Sequence, residues 1–334
     1  MQNQEQIRNG VILHPGAVGD CLLTLPLADY MKKVFGLDQM DFIGRTEYID
    51  FYPGRTCIDR IRSIESIELH RLFEDKNSFF LEDKDRLLEA FAGYEQIVSF
   101  LGAGHPSFET NLLFTVHSTH SADVAVLSSA IPDDYTAHIT DFYLQQFLNE
   151  HHLEQADAKI ESDALIVPVA SDYSAGQEML EQIGIQHEQP IAVIHPGSGS
   201  PAKSWHWTNY LQLGSELKAN NIQTVFILGP AEQDRMPEES AQIREKEIVL
   251  ENLTLGQVVQ LLTQADVFVG NDSGISHLSG MLGKRTIALF GPTNPAHFHP
   301  LGRSVTILTP NADSFSAFNL AECKKVFDSV IQML

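Results

Sequence analysis

A loop in the second half of the chain combines the residue types that bind phosphate. The stretch IAVIHPGSGSPAKSWHW leads from an apolar run to two glycines, which allow close backbone approach, two hydroxyls and a cation: Gly197, Gly199, Ser198, Ser200 and Lys203. Its letters also match the GxGxxA dinucleotide fingerprint. That match is weak, because a dinucleotide site needs an acidic residue about 20 positions on, directly after the next strand. The next predicted strand, Thr224–Leu228, is followed only by Gly-Pro-Ala and then Glu232. The GxxxxGK[ST] pattern of nucleotide triphosphatases is absent, so the loop predicts a phosphate site of another kind.

A second polar cluster follows the apolar run ADVFVG, at the predicted start of a helix. The turn consists of Asn271, Asp272, Ser273 and Gly274. The free N–H groups and the positive dipole end of a helix suit an anion, so this turn predicts anion binding. A plain cap made by Asp272 and Ser273 on a core helix explains the same residues. We interpret His277, one turn later, as a core or supporting residue rather than a catalyst.

A carboxylate, Asp20, ends a glycine-containing loop near the start of the chain. The loop follows the apolar run Val11–Leu13 in the stretch VILHPGAVGDCLLTLP. Pro26 would cost about 3 kcal/mol inside a regular helix, so we predict that the regular helix starts near Leu25. Asp20 then lies in the loop or in an irregular first turn and faces the crevice beyond the strand ends. Its alternative role is that of a helix cap.

Short apolar runs alternate with longer segments of helical spacing, which predicts βα units around parallel sheets. The predicted strands are Val11–Leu13, Met40–Ile43, Ile97–Phe100, Leu112–Val116, Ala122–Leu127, Ile191–His195, Thr224–Leu228, Glu247–Leu250, Val267–Val269 and Thr286–Phe290. The predicted helices are Leu25–Phe35, Lys84–Ala92, Thr140–His151, Ser174–Ile183, Thr208–Asn220, Leu255–Thr263 and Ile275–Leu282. Two such series indicate an α/β protein with two doubly wound domains.

The boundary between the two series is predicted between Ser162 and Ala175, where a charged segment interrupts the helical pattern. We assign residues 1–168 to the first domain and residues 169–320 to the second. Residues 321–334 carry an apolar stripe at helical spacing, so they form a C-terminal helix that could pack back on the first domain.

Three other groups of polar residues in the sequence are poor candidates for a catalytic or metal-binding site. The run around Ser273 does not form GxSxG, which argues against a Ser/His/Asp hydrolase. The pairs His151-His152 and His297-Phe-His299 lack a third ligand at metal spacing, so we predict no metal site. Asp83-Lys-Asp85 resembles the metal-binding DxD of some sugar transferases, but it begins a helical charge run and does not follow an apolar strand. We interpret it as a solvated helix face.

The net charge, the cysteines and the lengths of the apolar runs restrict the partners and the location that are expected for the protein. The formal charge is −22 over 334 residues, and the first 168 residues hold 12 basic and 27 acidic side chains. Such a field repels nucleic acid and anionic bilayers. The three cysteines, Cys21, Cys57 and Cys323, are widely spaced, which makes a disulfide framework improbable and fits a reducing cytoplasm. We find neither a signal-peptide core nor a run of about 18 apolar residues, so we expect no export by that route and no transmembrane segment.

Taken together, the three junctions resemble glycosyltransferase family 9, the ADP-heptose:lipopolysaccharide heptosyltransferases. The resemblance rests on GDCLLTLP near the N-terminus, HPGSGSPAKSW midway and the long block VGNDSGISHLSGMLGKRTIALFGPTNPAHFHPLG. The intervening NLTLGQVVQLLTQAD is also in register, so the similarity spans nearly the whole chain. It implies the GT-B architecture, two Rossmann-like domains facing a central cleft, with the acceptor mainly on the first and the nucleotide sugar mainly on the second.

The resemblance also implies a role for each site residue. Asp20 would be the general base, and Lys203 would meet the developing charge of the diphosphate, which makes these two the catalytic candidates. The remaining candidates would bind the donor, with Glu232 on the ribose, Leu253 on the adenine and His277 in support: Ser198, Gly199, Ser200, Glu232, Leu253, Asp272, Ser273, Gly274 and His277.

The implied activity is inverting, metal-independent transfer of heptose or a related sugar from an ADP-sugar to an acceptor hydroxyl. The acceptor could be lipopolysaccharide core, another glycan, a lipid-linked molecule, a protein or a small molecule, with at most peripheral membrane contact. No cofactor is expected apart from the nucleotide-sugar donor, and the location would be the bacterial cytoplasm. Two alternatives stay open: a GT-B-fold epimerase or phosphorylase, and a non-catalytic nucleotide-sugar-binding subunit.

Overall fold

Strands and helices alternate along the whole chain. The computed structural model describes residues 7–153, 165–186, 188–311 and 315–334. The strands are β1 Asn9–Leu13, β2 Gln39–Gly44, β3 Arg60–Ser63, β4 Tyr94–Ser99, β5 Asp123–Val126, β6 Ile191–His195, β7 Gln223–Leu228, β8 Val249–Glu251, β9 Val267–Asn271, β10 Thr286–Leu289 and β11 Val305–Leu308. The helices are α1 Val18–Leu22, α2 Leu25–Val34, α3 Thr46–Ile49, α4 Arg86–Phe91, α5 Pro106–His117, α6 Ile139–Glu150, α7 Ala170–Gln182, α8 Trp207–Ala219, α9 Pro230–Arg235, α10 Pro237–Lys246, α11 Leu255–Thr263, α12 Gly274–Met281, α13 Pro295–Phe298 and α14 Leu320–Met333.

The first of two compact units, residues 1–161, contains a five-stranded parallel sheet in the order β3-β2-β1-β4-β5. The central strands are buried along nearly their whole length, as expected for a parallel sheet covered on both faces. The order reverses between β1 and β4, because the chain returns to the opposite side of β1. Ligand sites of open α/β sheets lie beyond such a switch point, and the loop that carries Asp20 leaves β1 there.

The second unit, residues 162–334, contains a six-stranded parallel sheet in the order β11-β10-β9-β6-β7-β8. Read from the other edge, this is the Rossmann order 3-2-1-4-5-6. The switch point lies between β6 and β9, which pair along four residues. The phosphate-type loop leaves β6 and the Asn-Asp-Ser-Gly turn leaves β9, so the switch point brings the two predicted anion sites side by side.

The sequence predictions of the elements are confirmed for the main strands but wrong in one place. Leu112–Val116 was predicted as a strand, yet it forms the second half of helix α5. The β-branched Thr115 and Val116 suggested a strand, whereas burial of Phe108, Leu112 and Thr115 follows helical spacing. The edge strands β3 and β11 were not predicted at all. In β3, RIRS, every second residue is an arginine, and Arg60 forms a bidentate pair with the buried Asp41 of β2.

The prediction that Asp83-Lys-Asp85 is a solvated face is wrong for Asp85. Its carboxylate is buried, accepts a hydrogen bond of 2.9 Å from the Leu87 N–H at the start of α4, and pairs with Arg71 at 2.9 Å. The hydrogen bonds from Arg71 hold the pKa of Asp85 below its ordinary value, with burial opposing them. Asp85 is therefore a helix cap and an ion-pair partner inside the first unit.

The terminal helix α14 belongs to the core of the second unit. Its apolar stripe places Cys323, Val326 and Val330 in the cluster that also contains side chains of α8 and β6. The packing of this helix back on the first domain stays a prediction; Val326 and Val330 of its stripe are buried in the second unit, whereas Ile331 is 44% exposed. The described part of the chain contains no helix that is both long and apolar enough to cross a membrane.

Candidate active site

The sheet of the second unit lines up the predicted binding residues along one edge. Strands β9, β6, β7 and β8 are neighbours in that order, and all run in the same direction. Their carboxyl ends therefore share an edge, and each is followed by one predicted group: Asp272 after β9, Ser198 after β6, Glu232 after β7 and Leu253 after β8. With about 4.8 Å between strands, the four loops span about 14 Å.

Asn271, the last residue of β9, joins the two loops that were predicted to bind an anion. The side chain is fully buried, and its Nδ2 donates to the carbonyls of Pro196 at 2.7 Å and Gly197 at 3.2 Å. Its Oδ1 accepts hydrogen bonds from the Trp205 N–H at 2.9 Å and the Tyr210 hydroxyl at 2.7 Å. All hydrogen-bonding positions of the amide are thus used to fix the loop after β6 against β9.

Lys203 and Asp272 meet across the switch point. The ammonium Nζ lies 2.9 Å from Asp272 Oδ2, and the carboxylate is buried while the lysine side chain is 37% exposed. His277 Nε2 lies 4.0 Å from the other carboxylate oxygen. The predicted cation is therefore held at the start of α12 by a carboxylate, and its exposed part can reach an incoming anion.

Ser273 is the cap of helix α12, and its hydroxyl accepts a long hydrogen bond of 3.4 Å from the Ser276 N–H. The capping role that the sequence left open is therefore real. It does not exclude anion binding, because a cap of this kind satisfies only one of the four free N–H groups in the first turn. Gly274, the first residue of the helix, adds no side chain that would block an approach.

Ser198 organises its own loop in this structure. Its hydroxyl donates to the Ser200 carbonyl at 2.5 Å and lies 2.8 Å from the Ser204 hydroxyl. The loop places Gly199 at the surface, with Ser198 and Ser200 half-buried behind it. Gly199 has no side chain, so its exposed backbone is open to a ligand.

Glu232 lies against the same loop from the side of α9. Its Oε2 accepts the Gly229 N–H at 2.7 Å, and Oε1 occupies the space that a Gly197 β-carbon would take, 2.0 Å from the ideal position. His195 Nε2 lies 3.9 Å from Oε2, and His195 Nδ1 lies 3.5 Å from Ser273 Oγ. Burial acts to raise the pKa of Glu232, but the contacts with His195 and Gly229 outweigh it, so the pKa is lowered.

Asp20 lies in the first unit on the short helix α1, where the sequence predicted a loop or an irregular first turn. Its Oδ2 accepts the Ala17 N–H at 3.0 Å, and the side chain is exposed. The carboxylate therefore caps α1 and remains open to solvent. The regular helix begins at Leu25, with Pro26 in its first turn, which confirms that prediction.

A buried imidazole supports the loop before Asp20. His14 Nδ1 accepts the Gly16 N–H at 2.9 Å, so the proton of the neutral ring is on Nε2. Burial lowers the pKa of His14 to about 4, although the charge of Asp20 opposes the shift. Gly16 separates the two groups, since an ideal β-carbon there would lie within 3 Å of both His14 Cε1 and Asp20 Oδ2.

The described residues contain no group of three or more His, Cys, Asp or Glu side chains arranged to hold a metal ion. Three residues make contacts in the site that the sequence did not predict: His195, Asn271, which was named only as part of the predicted anion-binding turn, and Arg235. The first two are the last residues of apolar strands, and that position is the signal that could have found them. Arg235 ends α9 and donates to the Gly199 carbonyl at 3.0 Å.

Two parallel sheets of Rossmann type, one in each compact unit, define an α/β protein with two doubly wound domains. The model of glycosyltransferase family 9 (heptosyltransferase) matches residues 120–324, more than half of the chain, and the chain belongs to this family. This finding confirms the family resemblance, and the matched range contains the second and third of the three sequence blocks but not GDCLLTLP near the N-terminus.

Individual relatives agree with the family. The chain is 28% identical to lipooligosaccharide heptosyltransferase 2 of Haemophilus influenzae over 151 residues, which are 43% of this chain and 43% of that relative. The match therefore spans less than half of the relative's length.

Solved structures cover the chain almost completely. A glycosyltransferase family 9 structure from Veillonella parvula superposes with a TM-score of 0.72 and 16% identity over 98% of both chains. The Escherichia coli ADP-heptose lipopolysaccharide heptosyltransferase II gives 0.69 and 17%, again over 98% of both chains. These likenesses confirm the predicted α/β fold with two Rossmann-like domains of the GT-B type.

Proposed function

We propose that this protein is an inverting, metal-independent glycosyltransferase. It transfers a heptose or a related sugar from an ADP-sugar to an acceptor hydroxyl, in the synthesis of lipopolysaccharide core or another glycan. We place it in the bacterial cytoplasm with at most peripheral membrane contact, and its net charge of −22 disfavours a nucleic-acid partner.

One observation carries the proposal: the order of groups along the edge of the second sheet matches the order of parts in an ADP-sugar. Leu253, Glu232, Ser198 and Asp272 follow strands β8, β7, β6 and β9, which are consecutive in the sheet. In the proposal these residues bind adenine, ribose, diphosphate and sugar in turn. Family membership and the Haemophilus relative, a heptosyltransferase by name, support the choice of donor.

Lys203 and the start of α12 are assigned to the departing diphosphate. Transfer releases a nucleoside diphosphate, and its charge is best stabilised by donors that are already in place. Lys203 is held 2.9 Å from Asp272 before any ligand arrives, so little reorganisation is needed. The first turn of α12 adds free N–H groups and the positive end of the helix dipole.

Asp20 is assigned as the general base. Inversion in a single displacement needs one carboxylate to accept the proton of the acceptor hydroxyl, and no covalent enzyme intermediate forms. Asp20 is exposed at the carboxyl end of β1, and only its Oδ2 is used by the backbone of α1. The second oxygen is therefore the one assigned to the proton.

The test combines donor binding with transfer. A thermal-shift panel of ADP-, UDP- and GDP-sugars should show the largest stabilisation with an ADP-sugar, because only ligands of the folded state raise the melting temperature. Release of ADP should then depend on an added acceptor and should be insensitive to a metal chelator. Conversion of the sugar without an acceptor would indicate an epimerase, and binding without any turnover would indicate a binding subunit.

Asp20→Asn is the critical variant. An asparagine Oδ1 still accepts the Ala17 N–H, so the variant should fold and bind ADP normally while transfer falls about 100-fold or more. Asp29→Asn is the matched control, because it removes a carboxylate that pairs with Lys33 within α2. Turnover of Asp20→Asn within a few-fold of the native protein would remove Asp20 from the mechanism.

A further inference from the structure

Arg235 is a second cation at the loop assigned to the diphosphate. It is the last residue of α9, its side chain is exposed, and Nη1 donates to the Gly199 carbonyl at 3.0 Å. Gly199 is itself exposed in that loop. The guanidinium has five N–H donors, so this one hydrogen bond leaves most of its donors for another acceptor.

The charges around the loop leave Arg235 without a carboxylate. Lys203 is paired with Asp272 at 2.9 Å, and Glu232 is buried with its Oε2 on the Gly229 N–H. Within the described ranges, Arg235 forms no ion pair, unlike Arg244 on α10, which pairs with Glu251 at 2.7 Å. A nucleoside diphosphate brings more negative charge than one lysine that is already paired can balance.

A small recess connects Arg235 to the residues assigned to the donor. It lies between the loop after β6 and helix α9, and its walls are Ser198, Pro201, Ser204, Glu232, Arg235 and Met236. Ser198 is assigned to the diphosphate and Glu232 to the ribose, so Arg235 lies where these two parts of a nucleotide join.

We propose that Arg235 binds a phosphate group of the nucleotide donor and shares its negative charge with Lys203. The inference rests on the proposed function, because it presupposes that a nucleoside diphosphate binds at this edge. A guanidinium suits the task, since its planar fork can bind two oxygens of one phosphate while a lysine supplies only a point charge. In the free protein the Gly199 carbonyl keeps the side chain at the loop.

A purely structural role is the competing explanation, in which Arg235 only anchors the Gly199 carbonyl. Two substitutions separate the roles. Arg235→Lys and Arg235→Gln both shorten the side chain and both keep an N–H donor, but only the lysine keeps the charge. A phosphate contact depends on the charge, whereas an anchor on a neutral carbonyl depends much less on it.

The experiment measures the affinities for ADP and adenosine by calorimetry in four proteins: native, Arg235→Lys, Arg235→Gln and the control Arg244→Gln. We expect Arg235→Gln to bind ADP about 10-fold more weakly or worse, the scale of losing one hydrogen bond to a charged group. Adenosine affinity should be unchanged, and Arg235→Lys should keep most of the ADP affinity. The difference between the lysine and glutamine variants should shrink at high salt.

Three results would overturn the inference: native-like ADP affinity in Arg235→Gln, an equal loss for adenosine, or an equal loss in Arg235→Lys at every salt concentration. These outcomes leave the proposed function intact. If the native protein binds neither ADP nor UDP nor GDP, the proposed function itself fails, and the role of Arg235 fails with it.

Discussion

Asn271→Ala should test how the candidate site is held together. The substitution removes the partner of four buried groups, the Pro196 and Gly197 carbonyls, the Trp205 N–H and the Tyr210 hydroxyl. An unsatisfied buried group costs about 1 to 3 kcal/mol, so even the lower value for each gives a loss of about 4 kcal/mol in the free energy of unfolding. The loop after β6 would also lose its attachment to β9.

The chain offers a clean assay for this loss. Both tryptophans, Trp205 and Trp207, lie in the second unit, so tryptophan fluorescence during urea unfolding reports on that unit alone. Asn209→Ala is the matched control. Asn209 is equally buried, but it bonds the backbone at Ala317 and Asn319, next to the terminal helix and not at the switch point.

The two asparagine variants should both be less stable than the native protein, but they should differ in their affinity for the donor nucleotide. We expect both to unfold at lower urea concentration, whereas only Asn271→Ala should weaken ADP binding, by about 10-fold or more, through displacement of the loop. A loss of less than about 1 kcal/mol in Asn271→Ala, or an equal loss of ADP affinity in Asn209→Ala, would refute the reasoning.

Two further predictions concern the free energy of unfolding and rest on the buried residues His14 and Gly197. His14 has a pKa of about 4 when folded and about 6.5 when unfolded, so the stability of the first unit should fall by about 3 kcal/mol as the pH drops through this window. In His14→Gln that fall should largely disappear in urea unfolding followed by circular dichroism; an unchanged fall would assign it to other groups. Gly197→Ala should destabilise the second unit by about 1 to 3 kcal/mol, because its β-carbon meets Glu232, whereas Gly199→Ala meets nothing within 4 Å. Equal stability of the two alanine variants in tryptophan-monitored unfolding would contradict this.

The sequence predicts the inner strands well for a physical reason. A parallel strand covered on both faces must be apolar along its whole length, and β6 and β9 show this as IAVIH and VFVGN, buried throughout. The loops after such strands could therefore be located from the sequence, and with them Ser198, Lys203, Asp272 and Asp20. The edge strand β3, RIRS, lacks this signal, whereas β11, VTIL, is apolar at three of its four positions and was missed although it carries the signal.

Contacts between the loops could not be predicted in the same way. That Asn271 would bond the Pro196 carbonyl depends on β6 and β9 being neighbours, which is a property of strand order and not of either segment. The same holds for Arg235, whose partner Gly199 is 36 residues away in the chain. The prediction for Asp85 was wrong for the same reason. Its charged neighbours in the sequence suggested exposure, but the carboxylate is buried in an ion pair with Arg71.

Capping and ligand binding, which the sequence presented as alternatives, are compatible at these junctions. A carboxylate has two oxygens, and in Asp20 and Glu232 one of them accepts an N–H at the start of its own helix while the other is left for a different contact. The cap fixes the side chain in place before substrate arrives, which reduces the reorganisation that binding requires. Replacement by the matching amide should therefore keep the cap and remove the charge, whereas alanine removes both. The difference between the Asn and Ala variants of Asp20 in stability, at equal loss of transfer, measures the cap separately from the chemistry.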